Sequence, residues 1–131
     1  MLRKSFTLIE LIMVIVIVGI LAVIAMPKMF KTQTIANDSA AKANLEIISA
    51  ALENYALHNN GEYPDDVGDL TGASPPYLNR PYCGETINGY SYSCTLSTTG
   101  YTITATPVSC GSSGTKNYTI TTGGLLSEPD C

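Results

Sequence analysis

Polar residues are nearly absent from one stretch of this chain, fall on one side of the next, and alternate with apolar ones in the last. From Phe6 to Met26, 19 of 21 residues are apolar or glycine, and the two exceptions, Thr7 and Glu10, lie near the start. At 1.5 Å rise per residue such a helix would be roughly 31 Å long, about the thickness of a bilayer's hydrocarbon core. Apolar residues all round it mean that it sits in lipid or inside an assembly rather than on a wet surface. A secretory signal peptide would have a shorter apolar region and a small-residue cleavage site. Here Met26-Pro27-Lys28 follows instead, so the segment is expected to stay in the mature protein.

From Lys28 to about His58 helix-forming residues dominate. Ile48, Ala51, Leu52 and Tyr55 follow i, i+3, i+4, i+7 spacing, with Glu46, Glu53 and Asn54 directed elsewhere. Pro27 lacks a backbone donor and would kink the helix or, with Gly19, mark a short break. Asn59-Asn60-Gly61 supplies a left-handed stop, and Pro64 prevents resumption. The pattern therefore predicts one long helix from about Phe6 to His58.

Glu62 to Pro81 reads as a loop, with Pro64, Pro75, Pro76 and Pro81 and two glycines among its turn residues. Three alternating runs follow. Tyr90, Tyr92, Cys94 and Leu96 share one face, as do Tyr101, Ile103 and Ala105, and then Tyr118 and Ile120, with Ser and Thr opposite. Period-two alternation broken at Thr99-Gly100 and at Gly111-Ser112-Ser113-Gly114 predicts antiparallel strands with one wet face. The fold class is α+β: a long N-terminal α-helix whose C-terminal half packs on a small antiparallel β-sheet head. Residues 6–27 are the membrane or core helix, 28–60 the amphipathic helix of the head, and 61–131 the loop and sheet.

Composition adds a compartment. The formal net charge of −4 and pI near 4.7 argue against bulk attraction to nucleic acid, so no direct nucleic-acid binding is expected. Arg3 and Lys4 before the apolar segment face Lys28 and Lys31 after it, and charge alone leaves the topology undecided. All four cysteines (Cys83, Cys94, Cys110, Cys131) lie in the C-terminal half, as expected for a domain in an oxidising compartment. That places the N-terminus in the cytoplasm and the head outside it. Eight tyrosines, all after the apolar segment, and no tryptophan imply a small core that disulfides would supplement.

Glu10 is the residue out of place. An ionised side chain at the centre of a membrane helix costs roughly 3 kcal/mol or more, which makes an intramembrane acid a functional candidate. The plainer reading is a first-turn carboxylate that complements the positive helix end. Position alone leaves the two about even.

The surrounding residues tip that balance. Arg3-Lys4-Ser5 followed by Phe6-Thr7-Leu8-Ile9-Glu10, the apolar run, Gly19 and a closing Pro27 resembles the N-terminus of the type IV pilin and pseudopilin superfamily. The resemblance covers about the first 30 residues and implies the pilin fold. It implies that residues 1–5 are a leader, that prepilin peptidase cuts between Ser5 and Phe6 at the cytoplasmic face, and that Phe6 is then N-methylated. It further implies a single-pass inner-membrane precursor, a pilus assembly machinery, and a homo-oligomeric helical filament with these segments as its core. The Gly19–Pro27 part is where such a helix unwinds in a filament. Ser5 departs from the glycine usual before the cut.

Cutting before Phe6 creates an α-amine with a reference pKa near 8, mostly cationic at neutral pH. In a low-dielectric core, Glu10 of one subunit can pair with the amine of the next. Stranding either charge would cost roughly 3–5 kcal/mol. With Thr7 beside it, Glu10 is the assembly candidate.

The remaining constellations are weaker. Glu62, Asp65, Asp66 and Asp69 form an acidic loop, and the resemblance to major pseudopilins raises calcium. The spacing fits no EF-hand, so no metal and no cofactor are expected. His58 falls at the helix end, where a cation complements the dipole. No nucleophile has an elbow and no second histidine exists, so the chain is not expected to be an enzyme. Asn37-Asp38-Ser39 and Asn117-Tyr118-Thr119 match a glycosylation pattern that often arises by chance. Four cysteines allow three pairings, of which we choose Cys83–Cys94 and Cys110–Cys131. The first closes a short loop into the opening strand, and the second ties Cys131 back to the middle strand's end.

The expected function is a structural subunit of a type IV pilus, with adhesion, motility or DNA uptake as roles of the filament. The alternatives are a pseudopilin of a type II secretion system, periplasmic rather than extracellular, and a ligand-binding minor pilin. Paired cysteines favour the pilin, Gly61-Glu62-Tyr63-Pro64 leans mildly to the pseudopilin, and only Arg80 and Lys116 are basic after Lys42, too few for a basic binding patch.

Overall fold

The computed structural model describes residues 4–131; Met1, Leu2 and Arg3, part of the expected leader, lie outside the described residues. Two compact units divide the chain, one ending at Gln33 and the other spanning Thr34–Cys131.

Helix α1 runs over Leu8–His58 without interruption. It starts two residues later than the pattern suggested, because Thr7 caps it. The break considered at Gly19 and Pro27 is absent: both lie inside the continuous helix. Proline removes one ladder bond there, and the neighbouring turns remain helical around it. At the other end Asn60 adopts φ 59° and Gly61 φ 85°. The Gly61 amide reaches back to the Ala56 carbonyl at 2.8 Å, closing the helix as a Schellman turn. The helix thus ends at His58, where the pattern placed its end, two residues short of the 28–60 segment assigned to the head.

In the second unit a meander of five antiparallel strands forms one sheet in sequence order. Its strands are β1 (Thr86–Ile87), β2 (Tyr90–Ser97), β3 (Gly100–Pro107), β4 (Tyr118–Thr121) and β5 (Leu125–Ser127). Register pairs Cys94 with Ile103 and Ile103 with Ile120, so the three alternating runs put their apolar members on one face. Tyr90, Tyr92, Tyr101, Ile103, Ala105, Tyr118 and Ile120 are all buried there. Ala41, Leu45, Ile48, Ala51 and Leu52 of α1 enter the same core. Each fully buried leucine or isoleucine contributes about 1.5–3 kcal/mol, which makes this helix face and the sheet mutually dependent.

Three features lie outside the sequence pattern. The two edge strands, β1 and β5, are too short to show periodicity. The loop after α1 contains a one-turn helix α2 (Gly68–Thr71) whose Leu70 is fully buried. Glu53 was expected to face away from the sheet, and instead it bonds to it. Its long side chain curls round the edge of the apolar stripe and accepts hydrogen bonds from Tyr63, Tyr101 and the Gly123 amide.

Disulfides join Cys83 to Cys94 across 5.4 Å between Cα atoms and Cys110 to Cys131 across 6.0 Å. Among the described residues no cysteine is free.

Candidate functional site

The first unit owes its chemistry to a reciprocal cap. Glu10 Oε2 accepts from the Thr7 amide at 3.0 Å and from the Thr7 hydroxyl at 3.0 Å. The Glu10 amide in turn donates to Thr7 Oγ1 at 3.3 Å. This is a capping box, Thr at the N-cap and Glu three residues on, and it satisfies two amides that no helical carbonyl can reach. The T-x-x-E pattern was legible in the sequence, and Thr7 and Glu10 were both assembly candidates there, but the cap that joins them was not read from it. Both Thr7 donors meet Oε2, so among the described residues Oε1 accepts no hydrogen bond.

Lys4, Ser5, Phe6 and Thr7 lie outside the helix and are exposed, so the Ser5–Phe6 peptide bond is accessible. A cavity of about 170 Å³ is lined by Lys4, Ser5, Phe6 and Glu10. From Phe6 to Met26 the large apolar side chains are 46–87% exposed, and a membrane-length window of the helix has none of its residues buried in the protein. At about 25 cal/mol per Å² of apolar surface, so long a bare stretch requires lipid or other protein around it.

The second unit holds two polar clasps between α1 and the rest of the head. Asp38 accepts from the Tyr90 hydroxyl at 2.5 Å and from the Thr115 amide and hydroxyl at 2.9 and 2.6 Å. Burial alone would raise its carboxyl, but the bonds from Thr115 and Tyr90 outweigh that and hold it below the usual range. Burial, reinforced by Asp38, pushes the Tyr90 hydroxyl far up. Beside this clasp Asn37 Nδ2 donates to the Ser113 carbonyl at 2.9 Å. Asn37 is therefore part of the packing, and its glycosylation match carries no accessible acceptor. At the second clasp, burial followed by Glu53 pushes the Tyr101 hydroxyl up to about 12 despite an opposing bond from Ser49. Sequence reasoning missed Asp38 and Glu53 because a carboxylate on a helix is ordinarily solvated.

The acidic loop is not drawn together. Asp66 Oδ1 accepts from the Gly68 amide at 3.2 Å and starts α2, and Asp65 lines a shallow cavity beside the Cys83–Cys94 bridge. Among the described residues no three His, Cys, Asp or Glu side chains gather as a metal site. His58 is the last helical residue, and its Nδ1–H donates to the Asn54 carbonyl at 2.8 Å.

Comparison with known proteins agrees with the N-terminal geometry. Residues 1–26 match the family model of the prokaryotic N-terminal methylation motif. The chain is 38% identical over 78 residues to the type IV major pilin protein PilA of Myxococcus xanthus, covering 60% of this chain and 34% of that one. It is 43% identical over 75 residues to the type IV major pilin protein PilE1 of Neisseria gonorrhoeae, 57% of this chain and 45% of the relative. To the type II secretion system core protein G of Pseudomonas aeruginosa it is 40% identical over 57 residues, 44% and 40% of the two chains. The chain thus spans a third to less than half of the curated relatives it matches. No solved structure matches it. A methylation motif, an exposed membrane-length helix and an α+β head thus accompany a likeness, over part of their length, to type IV major pilins and to a type II secretion core protein G.

Proposed function

We propose that this chain is a structural subunit of a type IV pilus, held in the inner membrane by Phe6–Met26 before assembly and extracellular afterwards. The observation that carries the reading is the bare apolar helix with its single capped carboxylate. Lipid covers that surface in the precursor, and copies of the same segment cover it in a homo-oligomeric helical filament. Prepilin peptidase cuts between Ser5 and Phe6, Phe6 is methylated, and the new amine meets Glu10 of a neighbour. Gly19 and Pro27 mark the part of α1 that unwinds when subunits pack.

The role of the chain is structural rather than enzymatic, and it uses no cofactor. Adhesion, motility or DNA uptake would be roles of the filament, with no direct nucleic-acid contact by this acidic head. The likeness to core protein G supports a second reading, a periplasmic pseudopilin of type II secretion. Two disulfides in the head favour the pilus.

Electron microscopy of the cell surface, with and without the gene, tests the reading together with N-terminal mass analysis of sheared filaments. Filaments built from a chain starting at methylated Phe6 are expected. Surface filaments whose subunits retain Met1–Ser5 would overturn the processing step, and a bare surface with secretion lost would transfer the chain to the pseudopilins.

A further inference from the structure

We infer that Lys28 and Lys31 form a clamp for anionic lipid headgroups, which fixes the depth of α1 in the leaflet on the head's side of the membrane. The inference rests on the membrane-held stage of the function proposed above, and it holds for a pilin and a pseudopilin alike.

Pro27 locates the membrane boundary. It lies inside α1 and has no N–H, so the Val23 carbonyl loses its ladder donor. Val23 is 72% exposed, and what surrounds the helix there comes from outside the chain. A carbonyl without a donor is costly among lipid tails and tolerable at the hydrated headgroup level. That places the turn from Val23 to Pro27 at the edge of the hydrocarbon rather than in its middle. Length agrees: from Glu10 to Lys28 the helix rises about 27 Å, against a hydrocarbon core of about 30 Å.

The next turn carries the chemistry of that edge. Lys28 and Lys31 are exposed and stand at i, i+3, so their side chains are neighbours on the helix surface. Met29 and Phe30 are 70% and 75% exposed, which keeps the turn against the acyl boundary. The lysine stems can lie along that boundary while their ammonium groups reach the phosphates.

Charge identifies the lipid. Among the described residues neither lysine takes part in an ion pair, whereas Lys42, the next cation along the chain, meets Glu128 at 3.0 Å. No acid stands between Glu10 and Asp38, and Asp38 is engaged by Tyr90 and Thr115. Two cations in one turn at the surface therefore fit phosphodiester headgroups of net negative charge. Each lysine so placed favours anionic lipid about fivefold.

Lipid selectivity of the whole chain tests this. The full chain is reconstituted in mixed phosphatidylcholine–phosphatidylglycerol vesicles, and spin-labelled forms of the two lipids are added in turn. The label immobilised at the chain is expected to favour phosphatidylglycerol several-fold at low salt, and less as salt rises. Lys28→Gln with Lys31→Gln should remove most of that excess, and Lys28→Arg with Lys31→Arg should keep it. Arg3 and Lys4 are present throughout, so the difference between variants reads the head's side alone. Equal preference in wild type and the double Gln variant, with both chains inserted, overturns the inference and leaves the membrane-held stage intact. A chain that alkaline carbonate strips from the vesicles overturns both. Unchanged lipid preference with fewer filaments in cells carrying the double Gln variant also overturns the inference, and assigns the two lysines to a contact between copies.

Discussion

Tyr101 donates its hydroxyl hydrogen to Glu53 at 2.8 Å, joining the start of β3 to the last turns of α1. Ser49, one turn earlier on the helix, lies 2.7 Å from the same hydroxyl. Burial, with Glu53's bond and charge behind it, raises Tyr101 from 10.0 to about 12, so folding favours the neutral phenol. The sign follows: the contribution is fully present below pH 10.0 and is lost as pH rises towards about 12. Circular dichroism of the full chain in micelles should show head stability falling through that window, with tyrosinate absorbance rising in step. Tyr101→Phe should flatten the fall and cost about 1–3 kcal/mol at neutral pH, since Glu53 and Ser49 lose a buried partner.

Asp38 gives the opposite dependence. Its carboxyl, ordinarily at 3.8, is held lower by Thr115 and Tyr90 against the effect of burial. The stabilisation is therefore present above pH 3.8 and disappears as pH falls through the lower folded value. Asp38→Asn keeps the shape and loses the charge, and charged hydrogen bonds are about twice as strong as neutral ones. Thermal melts should show the variant less stable by about 1–2 kcal/mol at pH 7. The gap should close in strong acid; a gap that persists there would assign the loss to packing instead.

Gly114 tests how tightly that same clasp is built. A Cβ at this position would run into the Tyr90 hydroxyl and ring, the side chain that Asp38 holds. Tyr90 is fully buried and has no room to move. Overpacking of this kind typically costs 1–3 kcal/mol, so Gly114→Ala should lower the melting temperature. Gly111→Ala in the same loop, where a Cβ meets nothing but φ is 82°, should be destabilising through backbone strain alone. Tyr90→Phe removes the hydroxyl but keeps the ring, so it should recover part of the loss when combined with Gly114→Ala and none when combined with Gly111→Ala.

Long-period features were legible in the sequence because each is encoded by many residues at once. The helix of Leu8–His58 follows from 51 positions of helix-compatible pattern, and β2 and β3 from eight alternating residues each. β1 and β5 hold two and three residues, too few for a period, and form because a neighbouring strand offers an open edge. α2 likewise exists because Leu70 fills a pocket that only the finished head provides. At the candidate site, Glu10 was conspicuous as a charge among apolar neighbours. The roles of Asp38 and Glu53 were not legible, because their donors lie 52 and 48 residues away in Tyr90 and Tyr101.

Glu10 itself supplies the most demanding test. Glu10→Ala makes the N-terminal segment more apolar, so membrane insertion should be unchanged or improved. Loss of the capping box alone would cost about 0.5–2 kcal/mol, a change confined to the first helical turn. Leaving a neighbour's amine unpaired in a filament core would cost roughly 3–5 kcal/mol at every subunit contact. The two costs are separated by Thr7→Ala, which opens the box and keeps the carboxylate. Filaments counted at equal membrane levels should fall sharply for Glu10→Ala and much less for Thr7→Ala. Equal counts for wild type and Glu10→Ala would reduce Glu10 to a helix cap. Equal losses in the two variants would assign assembly to the capped geometry rather than to the charge.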